Sequence, residues 1–312
     1  METVLTTDPK TAADFIRRGL LVAFPTETVY GLGANVFDAP AVARIFEAKR
    51  RPADNPLIAH VGSLEQIRLL TKEITPTAQK FIEAFFPAPL TLVLRRAERV
   101  PLVATANLDT IGVRMPKNEL AREFLRLCET PVVAPSANLS GKPSPTVWQA
   151  VFEDLNGRID CLLQGEATEI GLESTVVDCT SHVPLVLRSG ALSLEELRKI
   201  VPATEMYYVK ENEAVRSPGL KHRHYSPRAR VVLISDFGFR ISGRSAYIGL
   251  STPKMNFDLI KICASAEEYA HEVFAFFRAC DHARIETIYC EIVAEKGIGL
   301  ALMDRLRRAA ES

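Results

Sequence analysis

The side chains able to do chemistry gather in a few short segments. FPTETVYGLGAN, residues 24–35, follows the apolar run LLVAF and offers the hydroxyls of Thr26, Thr28 and Tyr30. Its glycines, Gly31 and Gly33, let backbone approach a ligand closely; read alone, the segment is better taken as a polar turn after a strand. Lys49-Arg50-Arg51-Pro52 closes a helical pattern. An ammonium and a guanidinium two positions apart on a non-helical turn can converge on one polyanion, the guanidinium through a bidentate fork. Cations capping a helix C-terminus give the same letters. PVVAPSANLSGKPSPT, residues 131–146, has no ionisable group before Lys142 and presents Ser136 and Asn138. These are neutral donors and acceptors suited to orienting a ligand at the carboxyl end of a strand, or an Asx turn ahead of a proline-rich loop. Arg114 ends the run IGVRM, Ser174 and Thr175 open STVVD, and Arg188 sits in VLRSG, each a polar group at a strand end. The chain holds no G-x-x-x-x-G-K-[ST], no G-x-S-x-G and no H-E-x-x-H. An enzyme built from these parts works by positioning and cationic stabilisation rather than through a covalent nucleophile.

The elements that must position these groups follow from periodicity. Short β-rich runs at 20–24, 57–61, 90–94, 111–115, 131–135 and 174–178 alternate with amphipathic helical patterns, which predicts one large α/β domain over residues 1–205. In APAVARIFEAK, Val42, Ile45 and Phe46 share a face, Asp38 is the expected N-cap, and Pro52 limits extension, so the helix delivers Lys49 at its end. Residues 206–229 read as a basic, proline-containing linker; AVRSPGLKHRHYSPRAR holds Pro218 and Pro227 and no acid. From 230 to 312 the order VVLIS, AYIGL, DLIKICA, AEEYAHEVFAFFRACD, TIYCEIV and GLALMDRLRRAA predicts a small parallel α/β domain with Rossmann-like winding. Its glycines at 297 and 299 are followed by Leu302 at the third fingerprint position, which argues against a dinucleotide site.

Composition narrows the function classes. The 312 residues are 47% hydrophobic and 24% charged, with 38 basic and 38 acidic side chains, so binding of nucleic acid through bulk charge is excluded and any such contact is a local patch. The 6 cysteines are widely spaced without a C-x-x-C pair, which fits reduced thiols in a cytoplasmic protein and neither a disulfide framework nor a zinc site. A charged N-terminus and the lack of any long apolar run disfavour secretion and membrane spanning.

Taken together and in order, PTETVYGLGA, IFEAKRRPADNPLIAHV, PSANLSGKPSPT, ESTVVD, LRSGAL, SPGLKHRHYSP and GIGLALMDRLRRAA resemble the two-domain threonylcarbamoyl-adenylate synthases. The resemblance covers nearly the whole chain. It implies a YrdC-like twisted mixed sheet with flanking helices, joined to the small parallel domain. It also implies condensation of ATP, L-threonine and bicarbonate with Mg2+, the chain itself supplying no metal ligands. The adenylate would pass to a threonylcarbamoyl transferase that modifies the tRNA adenosine next to the anticodon, with a transient tRNA contact and no membrane. Carried over residue by residue, Lys49 and Arg51 are the catalytic pair. Threonine falls to Thr28, His60, Arg114 and Ser174. The nucleotide falls to Arg51, Asn55, Thr110, Ser136, Asn138, Ser144, Arg188 and Tyr225, the last on a linker that would act as a lid. Two positions depart from the family pattern: Arg50 stands where a glycine is usual, and Ser189 where a proline is usual. Two rival readings are a carbamoyl-adenylating enzyme of the hydrogenase-maturation type and a non-catalytic module binding double-stranded RNA or tRNA.

Overall fold

The computed structural model describes residues 2–208, 226–238 and 241–311. In chain order the strands of the first domain are β1 (Val4–Thr6), β2 (Val22–Phe24), β3 (Gly31–Asn35), β4 (Ile58–His60), β5 (Leu90–Arg95) and β6 (Thr110–Arg114). They continue with β7 (Val132–Val133), β8 (Cys161–Leu163), β9 (Thr175–Asp178), β10 (Leu185–Arg188) and β11 (Glu205–Met206). The helices are α1 (Pro9–Arg17), α2 (Ala39–Lys49), α3 (Leu64–Leu70), α4 (Pro76–Phe85), α5 (Glu119–Leu127), α6 (Trp148–Leu155) and α7 (Leu194–Ile200). All the strands join one 11-stranded sheet in the order β1-β8-β2-β3-β7-β4-β6-β5-β9-β10-β11. It is mixed: β4 and β6 are parallel, as are β5 and β9, whereas β2 with β3 and β5 with β6 are antiparallel.

The segment GLGAN, treated above as part of a polar turn, is the strand β3. Its small residues are tolerated because it lies between β2 and β7 with Leu32 and Ala34 buried. Helix α2 forms as its pattern requires. The Asp38 carboxylate accepts from the Ala41 N–H at 3.0 Å, and Val42, Ile45 and Phe46 enter the core. Each such burial contributes about 1.5–3 kcal/mol relative to exposure.

The second domain is a 4-stranded parallel sheet, with β12 (Arg230–Ile234), β13 (Ser245–Gly249), β14 (Leu259–Ile262) and β15 (Thr287–Glu291) in the order β12-β15-β13-β14. Helices α8 (Ala266–His282) and α9 (Ile298–Ala310) supply the core that covers it. In α8, Tyr269, Ala270, Val273, Phe274, Phe277 and Cys280 recur at helical spacing and are buried, and Ser265 caps the start by accepting from the Glu268 N–H. Val29 and Leu172 of the first domain belong to this same apolar cluster, so the two domains share packing.

All of the cysteines are buried free thiols. Among the described residues no helix is long and apolar enough to cross a membrane. Tyr225 and most of the linker lie outside the described residues.

Candidate active site

Strand register builds one row of the site. The parallel pairing of β4 with β6 sets His60 beside Arg114, and the antiparallel pairing of β5 with β6 sets Thr91 on Arg114's other side. Thr91 then shares a hydroxyl–hydroxyl contact of 2.8 Å with Ser174 at the start of β9. The turn after β2 closes the row. Thr26 Oγ1 accepts from the Thr28 and Val29 N–H groups and donates to the Val29 carbonyl, which fixes Thr28 where its Oγ1 accepts from Arg114 at 2.8 Å. Arg114 also lies 2.8 Å from the Glu27 carboxylate, and both side chains are buried. His60 packs edge-on against Phe24, and its Nδ1 is 3.2 Å from the Ile58 carbonyl, an acceptor that requires the proton on that nitrogen. Burial, with the Arg114 charge second, pushes the His60 pKa down to about 3. The ring is therefore a neutral hydrogen-bonding group at physiological pH.

The opposite wall grows from the end of α2. Arg50 adopts a left-handed conformation at φ 53°, its N–H donates to the Glu47 carbonyl, and the Arg51 N–H donates to the Phe46 carbonyl. This is a Schellman turn, and it sends the two neighbouring cations in different directions. Arg51 lines the cleft. Lys49, buried and still helical, donates from Nζ to the Ser136 carbonyl at 2.6 Å and the Asn138 carbonyl at 2.5 Å. In this structure the ammonium holds the loop that carries Ser136 and Asn138, near enough to Arg51 for that charge to act on it. Burial, with the Arg51 charge second, moves the Lys49 pKa well below its ordinary value. Ser136 Oγ in turn donates to Asn138 Oδ1, and Asn138 Nδ2 donates to the Leu139 and Lys142 carbonyls.

Arg188 supplies the third wall. Its Nε and NH2 donate to the Ser174 carbonyl at 3.2 and 3.0 Å. The turn after it can press against residues 173–175 only because position 190 is glycine: a Cβ there would stand 2.3 Å from the Thr175 nitrogen. Ser189 contributes its carbonyl to Arg305 at 3.0 Å.

The result is a cleft lined by Thr28, Arg51, His60, Arg114, Ser136, Ser174 and Arg188, all anticipated from sequence. Lys49, Asn138 and Ser144 stand behind its walls, and Asn55 is buried beside Arg51. Thr110 stands off from the other residues, in a hollow that shares Pro56, Leu57 and Ile58 with the cleft. It begins β6 at the end opposite Arg114 and lines that smaller hollow with Thr91 and Gly112. Glu27, Thr91 and Glu173 were not singled out. Glu27 and Glu173 sit inside the quoted motifs PTETVYGLGA and ESTVVD, a usable signal, whereas Thr91 lies in an otherwise apolar strand.

A hydroxyl-lined cleft with cationic walls, on a mixed sheet backed by a second parallel domain, defines a two-domain α/β enzyme acting on small anionic ligands. Residues 14–190 match the family described as "Telomere recombination", and residues 192–311 match "Threonylcarbamoyl-AMP synthase, C-terminal domain". The Threonylcarbamoyl-AMP synthase of Pyrococcus abyssi is 45% identical over 96% of this chain and 93% of its own length. That of Bacillus subtilis is 38% identical over 98% and 94%. The crystal structure of P. abyssi Sua5 complexed with L-threonine superposes with a TM-score of 0.92 at 44% identity, covering 99% of this chain and 97% of that one. The chain belongs to the threonylcarbamoyl-AMP synthase family, and its activity is of the nucleotidyltransferase type.

Proposed function

We propose that this protein condenses L-threonine, bicarbonate and ATP into threonylcarbamoyl-AMP and pyrophosphate, in the cytoplasm where ATP is available. One observation carries the reading: Thr28, Arg51, His60, Arg114, Ser136, Ser174 and Arg188, drawn from separate segments, converge on a single cleft. The row Thr28-His60-Arg114-Ser174 would take threonine, with Arg114 meeting the carboxylate and the hydroxyls orienting the rest. Arg51 and Arg188 would meet the nucleotide phosphates, with Ser136 and Asn138 fixing its orientation from the loop that Lys49 holds.

Threonine's amine must be neutral to capture carbon dioxide or bicarbonate, and the carbamate so formed is an anion that must attack an anionic α-phosphate. Guanidiniums placed where charge develops lower that repulsion and stabilise departing pyrophosphate. His60 is too weak a base to collect the amine's proton, so its part is to orient threonine. Among the described residues no group of three or more His, Cys, Asp or Glu side chains is placed to hold a metal. A magnesium ion would be delivered on the triphosphate, held by phosphate oxygens and water, and would supply charge neutralisation beside the guanidiniums of Arg51 and Arg188. The acyl-adenylate would be consumed by a threonylcarbamoyl transferase acting on tRNA.

The test is to incubate the protein with Mg-ATP and bicarbonate, with and without L-threonine, and follow pyrophosphate and adenylate by chromatography and mass. Threonine-dependent appearance of threonylcarbamoyl-AMP is the expected result. Pyrophosphate release indifferent to threonine would assign the cleft to another acceptor, and ATP-independent RNA binding with a steep salt slope would favour the RNA-binding reading.

A further inference from the structure

Two arginines of the second domain reach buried positions against the first. Arg278 on α8 donates to the Pro143 carbonyl at 2.6 Å and to Asp154 at 2.8 Å. Arg305 on α9 reaches the wall behind the cleft. It is only 1% exposed, and each arm of its guanidinium has a partner. Nε donates to the Glu173 carboxylate at 2.9 Å, NH2 to the Ser189 carbonyl at 3.0 Å, and NH1 to the neighbouring Asp304 at 2.6 Å.

The two first-domain partners of Arg305, Glu173 and Ser189, are chain neighbours of residues assigned to substrates. Glu173 lines the cleft, precedes Ser174, and accepts from Ser144 Oγ at 2.8 Å. Ser189 follows Arg188, whose guanidinium is bonded to the Ser174 carbonyl. The turns at 173–175 and 188–190 already touch at Gly190, and the planar fork of one guanidinium spans both from outside the domain. Lysine, a point charge without that fork, could neutralise Glu173 but could not reproduce the two-ended bridge. A salt bridge serving stability alone has no need to end on the backbone beside a substrate-facing arginine, and replacing such a buried pair with apolar groups is often neutral for stability.

We propose that Arg305 is a positioning residue of the first domain's cleft. By bridging Glu173 and the Ser189 carbonyl it holds Ser144, Ser174 and Arg188 in their binding geometry, so the docked second domain is a structural part of the site. The inference rests on the function proposed above.

The experiment uses the full chain and compares wild type with Arg305→Lys, Arg305→Met with Glu173→Gln, and His282→Ala as control. KM for ATP and threonine and kcat are measured by pyrophosphate release, alongside thermal unfolding. The double variant removes the buried charge together with its counter-charge, so it folds even if Arg305→Met alone does not. His282 pairs with Glu153 across the same domain boundary, but at an exposed site away from the cleft. Both test variants are expected to raise KM for at least one substrate tenfold or more while kcat at saturation stays within about threefold. The control should match wild type. Wild-type KM in both variants would overturn the proposal, as would a fall in kcat at unchanged KM, which reports only a smaller folded fraction. Failure of wild type itself to form the adenylate would overturn the functional reading instead.

Discussion

Lys49 and Arg51 are two positions apart in sequence and do different things. Lys49 is buried with its ammonium on two loop carbonyls, whereas Arg51 faces the cleft. Charge-assisted hydrogen bonds of this kind are worth about 1.5–3 kcal/mol each, and deleting the donor leaves buried acceptors without it. Lys49→Ala should therefore lower both the urea midpoint and the rate of adenylate formation, because the loop carrying Ser136 and Asn138 loses its tie. Arg51→Ala should raise KM for ATP with much the smaller change in midpoint. Denaturation and pyrophosphate kinetics on the same two variants check this. An unchanged midpoint in Lys49→Ala would mean that the bridge between Gly31 and Ser136 and the Asn138 bonds hold the loop by themselves.

At the scale of elements, the turn that separates these cations depends on a residue in the wrong conformation for its type. Arg50 sits at φ 53°, which costs an L-residue about 1–2 kcal/mol relative to the right-handed region. Glycine at this position avoids that strain but loses more chain entropy on folding. The balance predicts that Arg50→Gly raises stability by about 0.5–1 kcal/mol in urea titrations and leaves turnover unaltered, since Arg50 does not line the cleft. A loss of stability would show that the Arg50 side chain contributes more than the strain costs.

The same turn shows how far local pattern reaches. Its helix, the Asp38 cap and the position of Lys49 were legible because each depends on neighbours within a few residues. The direction of the Lys49 ammonium was not, because its acceptors lie 87 and 89 residues away. Strand β3 was missed since Gly-Leu-Gly-Ala has no β-branched residue to announce it and owes its conformation to the strands on either side. The cleft residues of the first domain were legible through the family motifs that carry them. Arg305 was not, because nothing in the helical pattern of α9 distinguishes it from Arg307 or Arg308, and its partner Glu173 is 132 residues distant.

For the whole molecule, the question is what keeps the domains docked. The apolar contribution is the packing of Val29 and Leu172 into the second domain's core, assisted by Gly171, where a Cβ would stand 2.5 Å from the His271 carbonyl. The buried ionic contribution is the pair of contacts Asp154–Arg278 and Glu173–Arg305. Although burial raises both carboxyl pKa values, their partners outweigh it. Arg278 and Lys142 hold Asp154 below its ordinary 3.8, while Arg305, Arg188 and the Ser144 hydroxyl hold Glu173 below 4.5. A carboxylate with a depressed folded pKa contributes stability that is fully present above its unfolded pKa and lost as pH falls through the folded one. Docking should therefore be insensitive to pH between about 5 and 8 and weaken below about 4. His60 acts in the same direction within the first domain. Its folded pKa of about 3 means that the unfolded chain takes up a proton below 6.5 that the folded domain refuses, so stability falls as pH drops across that interval. Trp148, the single tryptophan, begins α6 and packs against the first domain's core, whereas circular dichroism reports on both domains. Urea transitions followed by the two probes should coincide at pH 7 and separate at pH 3.5, with fluorescence moving first. Coincidence at pH 3.5 would show that the apolar contacts around Val29 and Leu172 suffice for docking. In that case the buried arginines act on the geometry of the cleft without carrying the interface.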